Sequence, residues 1–175
     1  MKKNAKNGKY TEIITEASTS VKEPAPAACA SCASRITTVE EARADAAEIA
    51  ALLQARCEKL TDIPEKVDFF DALPDYDVEF FTNKKSKTNA EVSKAMLEAA
   101  IPALEAISDW TVDAIHDTLI DLAAKLEVKN ATLMWPVRIA AAGKLVTPGG
   151  AVEICHLLGK DETLRRLRLG LDKLN

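Results

Sequence analysis

Between Met134 and Gly159 the chain reads MWPVRIAAAGKLVTPGGAVEICHLLG, an apolar run cut by two prolines and four glycines. Proline holds φ at about −65°, and glycine admits the positive φ that helix ends and tight turns need. A stretch punctuated in this way predicts two short helices joined by a rigid elbow. Pro136 stands just before the apolar run, Ile139 to Ala142 stops at Gly143, and Thr147-Pro148-Gly149-Gly150 makes the bend. The elbow is expected to place Arg138 and the Thr147–Gly150 backbone on one surface. An arginine beside exposed backbone groups suits recognition of a nucleotide, while a plain helix–helix corner is the simpler use of the same residues.

The rest of the chain from Thr38 onward has helical periodicity. Hydrophobic residues make up 47% but aromatics only 5%, and Ala and Leu abound, so an all-α fold is expected. Thr38-Val39-Glu40-Glu41 spells a capping box, and Ile49, Leu52, Leu53, Arg56 and Leu60 follow at three- and four-residue spacing. That helix is expected to end near Leu60. Asp62-Ile63-Pro64-Glu65 opens a second, with Val67, Phe69, Phe70 and Leu73 on its apolar face. Asp75-Tyr76-Asp77 reads as a turn. Thr88-Asn89-Ala90-Glu91 repeats the capping box, and Pro102 should kink or divide the helix that follows, at about 3 kcal/mol. Ser108 to Thr111 caps a helix striped by Ile115, Leu119, Leu122, Ala123 and Leu126, and Asn130 caps the approach to the elbow. Asp161-Glu162-Thr163 starts the last helix, with Leu164, Leu167, Leu171 and Leu174 inward.

Charge and cysteine content exclude several classes of function. Residues 1–36 are polar and rich in Ala, Pro, Ser and Thr, the composition of a flexible tail or linker. They carry six basic and three acidic residues, residues 37–128 nine and twenty, and residues 129–175 eight and four. These balances of +3, −11 and +4 recover the net −4 and leave a basic end on an acidic middle. Cys29 and Cys32 form a C-x-x-C without a second pair, so no metal site is expected. His116 and His156 lack partners at a nucleophilic spacing, and no catalytic residue is assigned. With no apolar run of about 18 residues there is no membrane span. A cytoplasmic monomer is the expectation.

The segment MWPVRIAAAGKLVTPGGAVEICHLLGKDETLRRL resembles the C-terminal end of bacterial glutamate–tRNA ligase, a class I aminoacyl-tRNA synthetase family. The residues that carry the likeness are Trp135-Pro136-Val137-Arg138, the small-residue helix closed by Gly143, Thr147-Pro148-Gly149, and Leu158-Gly159-Lys160-Asp161 with Leu164-Arg165-Arg166-Leu167. Further back, LLQARCEKLTDIPEKVDFF is similar to the opening of the penultimate helical domain of the same ligases. The resemblance implies two small helical subdomains in a superhelical or bundle arrangement, residues 37–128 and 129–175, after the 1–36 tail. It also implies a tRNA partner, glutamate-specific, read through splayed anticodon bases. By that match Arg56, Arg138, Thr147, Pro148 and Gly150 fall at base-contacting positions, with the Gly149 backbone beside them.

Each residue has a blander use. Arg56 could form a surface salt bridge, and Trp135 could be a core residue rather than a base platform. Arg165, Arg166 and Arg168 project from much of the leucine stripe, toward phosphate or, as favoured here, toward the acidic middle. Lys84-Lys85-Ser86-Lys87-Thr88 is superficially similar to the K-M-S-K-S loop of class I synthetases, but it lies between helices, and relatives carry such a lysine-rich turn in this region. No H-I-G-H-like signature or βαβ pattern appears. ATP and magnesium would therefore belong to a catalytic domain, or a synthetase catalytic subunit, outside this chain. The alternative is a helical protein–protein adaptor that does not bind RNA. A basic surface joining Arg56 and Arg138 favours RNA; its loss favours the adaptor.

Overall fold

Residues 39–54 and 56–175 are described by a computed structural model, with side chains described from Ala46 onward and excluding residue 55. The expected tail 1–36, the Cys29–Cys32 pair and the Thr38 cap lie outside the described residues. Among the described residues seven α-helices form: α1 (Val39–Gln54), α2 (Ile63–Asp71), α3 (Ala90–Glu105), α4 (Val112–Lys125), α5 (Asn130–Ala142), α6 (Ala151–Leu158) and α7 (Lys160–Lys173). Short 3-10 helices at Leu60–Asp62 and Val78–Phe81 lead into α2 and the turn before α3. An isolated antiparallel bridge pairs Asn83 with Thr88.

Helix α5 is the axis of the fold. Eight of its 13 residues are buried, among them Leu133, Val137 and Ile139 to Ala142, so it is apolar nearly all round. It packs against α3, α4, α6 and α7. The three alanines admit close neighbours: a Cβ added to Gly170 of α7 would lie 2.7 Å from the Ala140 Cβ. Gly143 ends α5 at φ 65°, and a Cβ there would lie 2.9 Å from both Pro74 Cγ and Tyr76 Cδ1. Glycine is required at this stop for its backbone angle and for its lack of bulk. The expected boundary at 128/129 falls in the link between α4 and α5, and residues from both sides, such as Leu97, Leu119, Val137 and Leu167, join one apolar cluster.

Several local expectations are corrected. Helix α1 stops at Gln54, not near Leu60, which is 84% exposed. The Leu53 carbonyl there accepts the amides of Arg56 and Cys57 at 2.8 and 2.9 Å, closing a last turn before the chain leaves the helix. The cap of α3 is Asn89, whose side chain accepts the Val92 amide, while Thr88 is buried in the bridge. Helix α3 runs through Pro102 undivided and ends at Glu105, so the lost hydrogen bond falls in a final turn that is ending anyway. Lys129, not Asn130, occupies the cap position of α5, without a side-chain cap bond. Thr111 caps α4 through the Ala114 amide, inside the expected Ser108–Thr111 signal.

The last helix departs furthest from expectation. Arg166 does not project outward; it is 1% exposed, donating from Nη1 to the Phe69 and Ala141 carbonyls at 2.7 and 2.9 Å and from Nε to Glu162 at 2.5 Å. Both carbonyls belong to final helical turns, where no intrahelical partner exists. Other basic residues of the C-terminal third do likewise. Lys160 donates to the Glu105 and Ile107 carbonyls, Lys144 to the Glu65 carbonyl and Asp68, and Lys173 to Tyr76 and Asp75. Arg168 pairs with Glu105, as the salt-bridge alternative expects. The sequence asymmetry is thus largely consumed inside the fold.

Two outcomes follow for stability. Gly170→Ala gains about 1 kcal/mol of helix propensity but forces the α5–α7 contact apart, and overpacking at about 1–3 kcal/mol wins; thermal denaturation should show a lower midpoint, with Leu169→Ala, at a 39% exposed site, near neutral. The Glu162 carboxyl is held below its ordinary value of 4.5, first by the hydrogen bond from Arg165, against the opposing effect of burial, with the Arg166 hydrogen bond and the charges of both arginines adding to the lowering. A depressed carboxylate stabilises the fold above that ordinary value and loses its effect as pH falls through the lowered one. Glu162→Gln should therefore flatten the acid side of a stability-against-pH curve below about pH 4.5 while lowering neutral stability.

Candidate nucleic-acid interface

The loop from Gly143 to Gly150 is tied down by two arginines from distant positions. Arg56, just past α1, donates from Nη1 to the Thr147 carbonyl at 3.0 Å. Arg138, in the middle of α5, donates from Nη2 to the Leu145 carbonyl at 3.2 Å. Inside the loop the Thr147 hydroxyl donates to the Gly149 carbonyl at 2.7 Å. Leu52 of α1 lies against Gly149, where an added Cβ would sit 3.3 Å from its Cδ1. The elbow is held in shape by these bonds to its carbonyls and by neighbours packed around its glycines.

The guanidinium of Arg138 also lies over the Trp135 ring, 4.5 Å from the centroid. Trp135 in turn donates its indole N–H to the Phe80 carbonyl at 3.0 Å, which fixes the ring as a support. Burial, and secondarily the neighbouring Arg56 charge, lower the pKa of Arg138, though an arginine remains cationic in water. Among the described residues neither arginine pairs with a carboxylate, and the buried Nε of Arg138 has no partner. Two close positive charges, one half-buried, thus stand without a counter-charge. Such a pair favours an anion or an acceptor-rich ligand.

The expected site residues separate into two groups. Arg56 and Arg138 come together on one loop, as a basic surface joining them requires. Thr147, Pro148 and Gly149 are buried and brace the elbow, the Thr147 hydroxyl and carbonyl both being engaged. Gly150 is half-buried beside Glu153. The surface of the loop is instead Leu145, 46% exposed, and Val146, 80% exposed, neither of them among the expected site residues. Their signal was available: two apolar residues in a loop have no periodicity to bury them. The amides of Leu145, Val146, Gly149 and Gly150 donate to no backbone carbonyl among the described residues.

Comparisons with known proteins add the following. The family described as "Anticodon binding domain" matches residues 18–171. The chain is 50% identical over 130 residues to the glutamate–tRNA ligase of Clostridium tetani, covering 74% of this chain and 27% of that protein. It is 48% identical over the same length to the ligase of Clostridium acetobutylicum. A crystal structure of a glutamate tRNA ligase from Elizabethkingia meningosepticum aligns with a TM-score of 0.63 at 19% identity, over 82% of this chain and 27% of that one, which supports the fold. The chain therefore spans about a quarter of the length of the curated relatives it matches. No helix among the described residues is long and apolar enough to cross a membrane.

If Arg56 holds the elbow, Arg56→Ala should lower the NMR backbone order parameters of Val146, Thr147, Gly149 and Gly150 while costing no more than about 1 kcal/mol of global stability. Unchanged order parameters would show that the loop is held without it.

Proposed function

The chain belongs to the anticodon binding domain family, and on that premise we propose that its Arg56–Arg138 surface reads unstacked anticodon bases of a tRNA, with glutamate tRNA as the cognate. The observation that carries this is the close pair of arginines without a carboxylate, bound to the carbonyls of one loop, with Arg138 backed by a tryptophan. A guanidinium presents a planar fork of donors, and Arg138 spends only one Nη on Leu145, so the fork can still meet a base carbonyl or ring nitrogen. Leu145 and Val146 offer an apolar face against which an extruded base can rest. The loop amides supply short donors to its Watson–Crick edge.

In this assignment Thr147, Pro148 and Gly149 act through the shape of the loop, and Arg56 has a double part as brace and as charge. Preorganisation is the benefit: the bases meet a surface that pays little ordering entropy on binding. The aminoacylation step, with its ATP and magnesium, is assigned to a catalytic domain or subunit beyond these residues. The relatives' greater length supports that division of labour.

The test is binding of the purified chain to glutamate tRNA across a salt series, beside a tRNA changed at the central anticodon base. Binding should weaken with salt, by about 0.7 in log–log slope for each single-strand phosphate contact, and should fall for the altered anticodon. Arg138→Ala should cost about tenfold in affinity, a charge-assisted hydrogen bond being worth roughly 1.5–3 kcal/mol, and should erase the preference between the two tRNAs. Equal affinity for both tRNAs in the unsubstituted chain would sink the proposal.

A further inference from the structure

The turn that precedes α3 carries a charge pattern that the base-reading surface does not use. Lys84, Lys85 and Lys87 are all exposed there, inside the segment 37–128 whose acidic residues outnumber basic ones by twenty to nine. Among the described residues none of the three has an ion-pair partner, and neither does exposed Lys129 at the start of α5. This contrasts with Lys144, Arg165, Arg166, Arg168 and Lys173, all of which meet carboxylates. The nearest acidic residues in sequence are Glu79, exposed in the 3-10 turn, and Glu91, in the first turn of α3, and neither pairs with these lysines.

The turn is built to hold its shape. Asn83 and Thr88 exchange backbone hydrogen bonds at 3.0 Å each, and the Asn83 side chain accepts the Lys85 and Ser86 amides at 2.8 and 3.2 Å. Lys87 sits at φ 55°, a left-handed conformation that costs a side-chain-bearing residue about 1–2 kcal/mol and that glycine would take freely. The turn is also fixed to α5, because the Thr132 hydroxyl donates to the Ser86 carbonyl at 2.7 Å.

That anchor sets its relation to the arginines. Thr132, Trp135 and Arg138 follow one another at three-residue spacing, a ridge that winds obliquely across α5. Thr132 holds the lysine turn, Trp135 holds the Phe80 carbonyl, and Arg138 holds the loop. Six residues of helix span about 9 Å, which is the rise of roughly three stacked nucleotides at about 3.4 Å each. We propose that the Asn83–Thr88 turn, with Lys129, grips the sugar–phosphate backbone of the RNA strand that leads into the bases read at Arg138. This rests on the anticodon-reading assignment and adds a sequence-independent hold to it. Lysine suits the task, as a compact charge that meets phosphate without demanding a base edge.

The test uses the full chain and its K84Q/K85Q/K87Q variant, titrated with glutamate tRNA and with the anticodon-altered tRNA across a salt series. The variant should lose about tenfold in affinity for both tRNAs alike, with its log–log salt slope smaller by about 2, its preference between them intact and its thermal midpoint unchanged. Should the triple variant unfold, K85Q alone should lower the slope by about 0.7. Unchanged affinity and slope, with preference retained, would overturn the lysine grip and leave base reading standing. Loss of preference in the variant would also overturn it, since the lysines would then act at the bases. If the unsubstituted chain binds both tRNAs equally and the lysine variant weakens both, base reading fails and the grip stands; no binding to either tRNA removes both.

Discussion

The buried guanidinium of Arg166 is the interaction on which the rest of the arrangement depends. Placing a charge at 1% exposure is costly unless every donor finds a partner. Here the partners are carbonyls at the ends of α2 and α5, each at the negative pole of a helix, and the Glu162 carboxylate one turn away. One side chain thereby satisfies two helix ends that water cannot reach and locks α2, α5 and α7 together. Because Ala141 is one of those acceptors, the point at which α5 hands over to Gly143 is fixed as well. The loop that follows inherits its position from a residue that never touches it.

The same economy explains the charge pattern of the surface. Most cations of the C-terminal third are spent on the acidic middle or on orphan carbonyls of its helices, so they hold the fold together and are withdrawn from solvent partners. Among the described residues the cations left without a carboxylate include Arg56 and Arg138 at the elbow and the lysines of the Asn83–Thr88 turn, with Lys59, Lys66, Lys94 and Lys125 scattered singly along the chain. A net negative protein can in this way present a local surface suited to a polyanion without attracting one over its whole exterior.

Much of this was legible in the sequence where local chemistry decides. Thr111 caps its helix, Gly143 stops α5, and Pro64 lies in the first turn of α2, each because a side chain or ring acts on backbone within four residues. Arg138 and the stiffness of Thr147 to Gly150 could be named for the same reason. Long-range facts could not. Arg165, Arg166 and Arg168 look alike in a sequence, and which one turns inward depends on where α2 and α5 end. The bond from Arg56 to Thr147 joins residues 91 positions apart, so periodicity that extends α1 toward Leu60 carries no warning of it. The buried role of Thr147 follows from that bond, which leaves Leu145 and Val146 as the outer face.

In the proposed function, bases are met at the elbow and beside the oblique ridge of α5 that carries Trp135 and Arg138. Amide and indole N–H chemical shifts, followed by NMR while an anticodon stem-loop RNA is added, test it most directly. The account predicts shifts concentrated at Trp135, Arg138, Leu145 to Gly150 and Arg56, with little change on the outer side of α4 around His116 and Asp121. Shifts centred on α4, with the elbow unmoved, would contradict it.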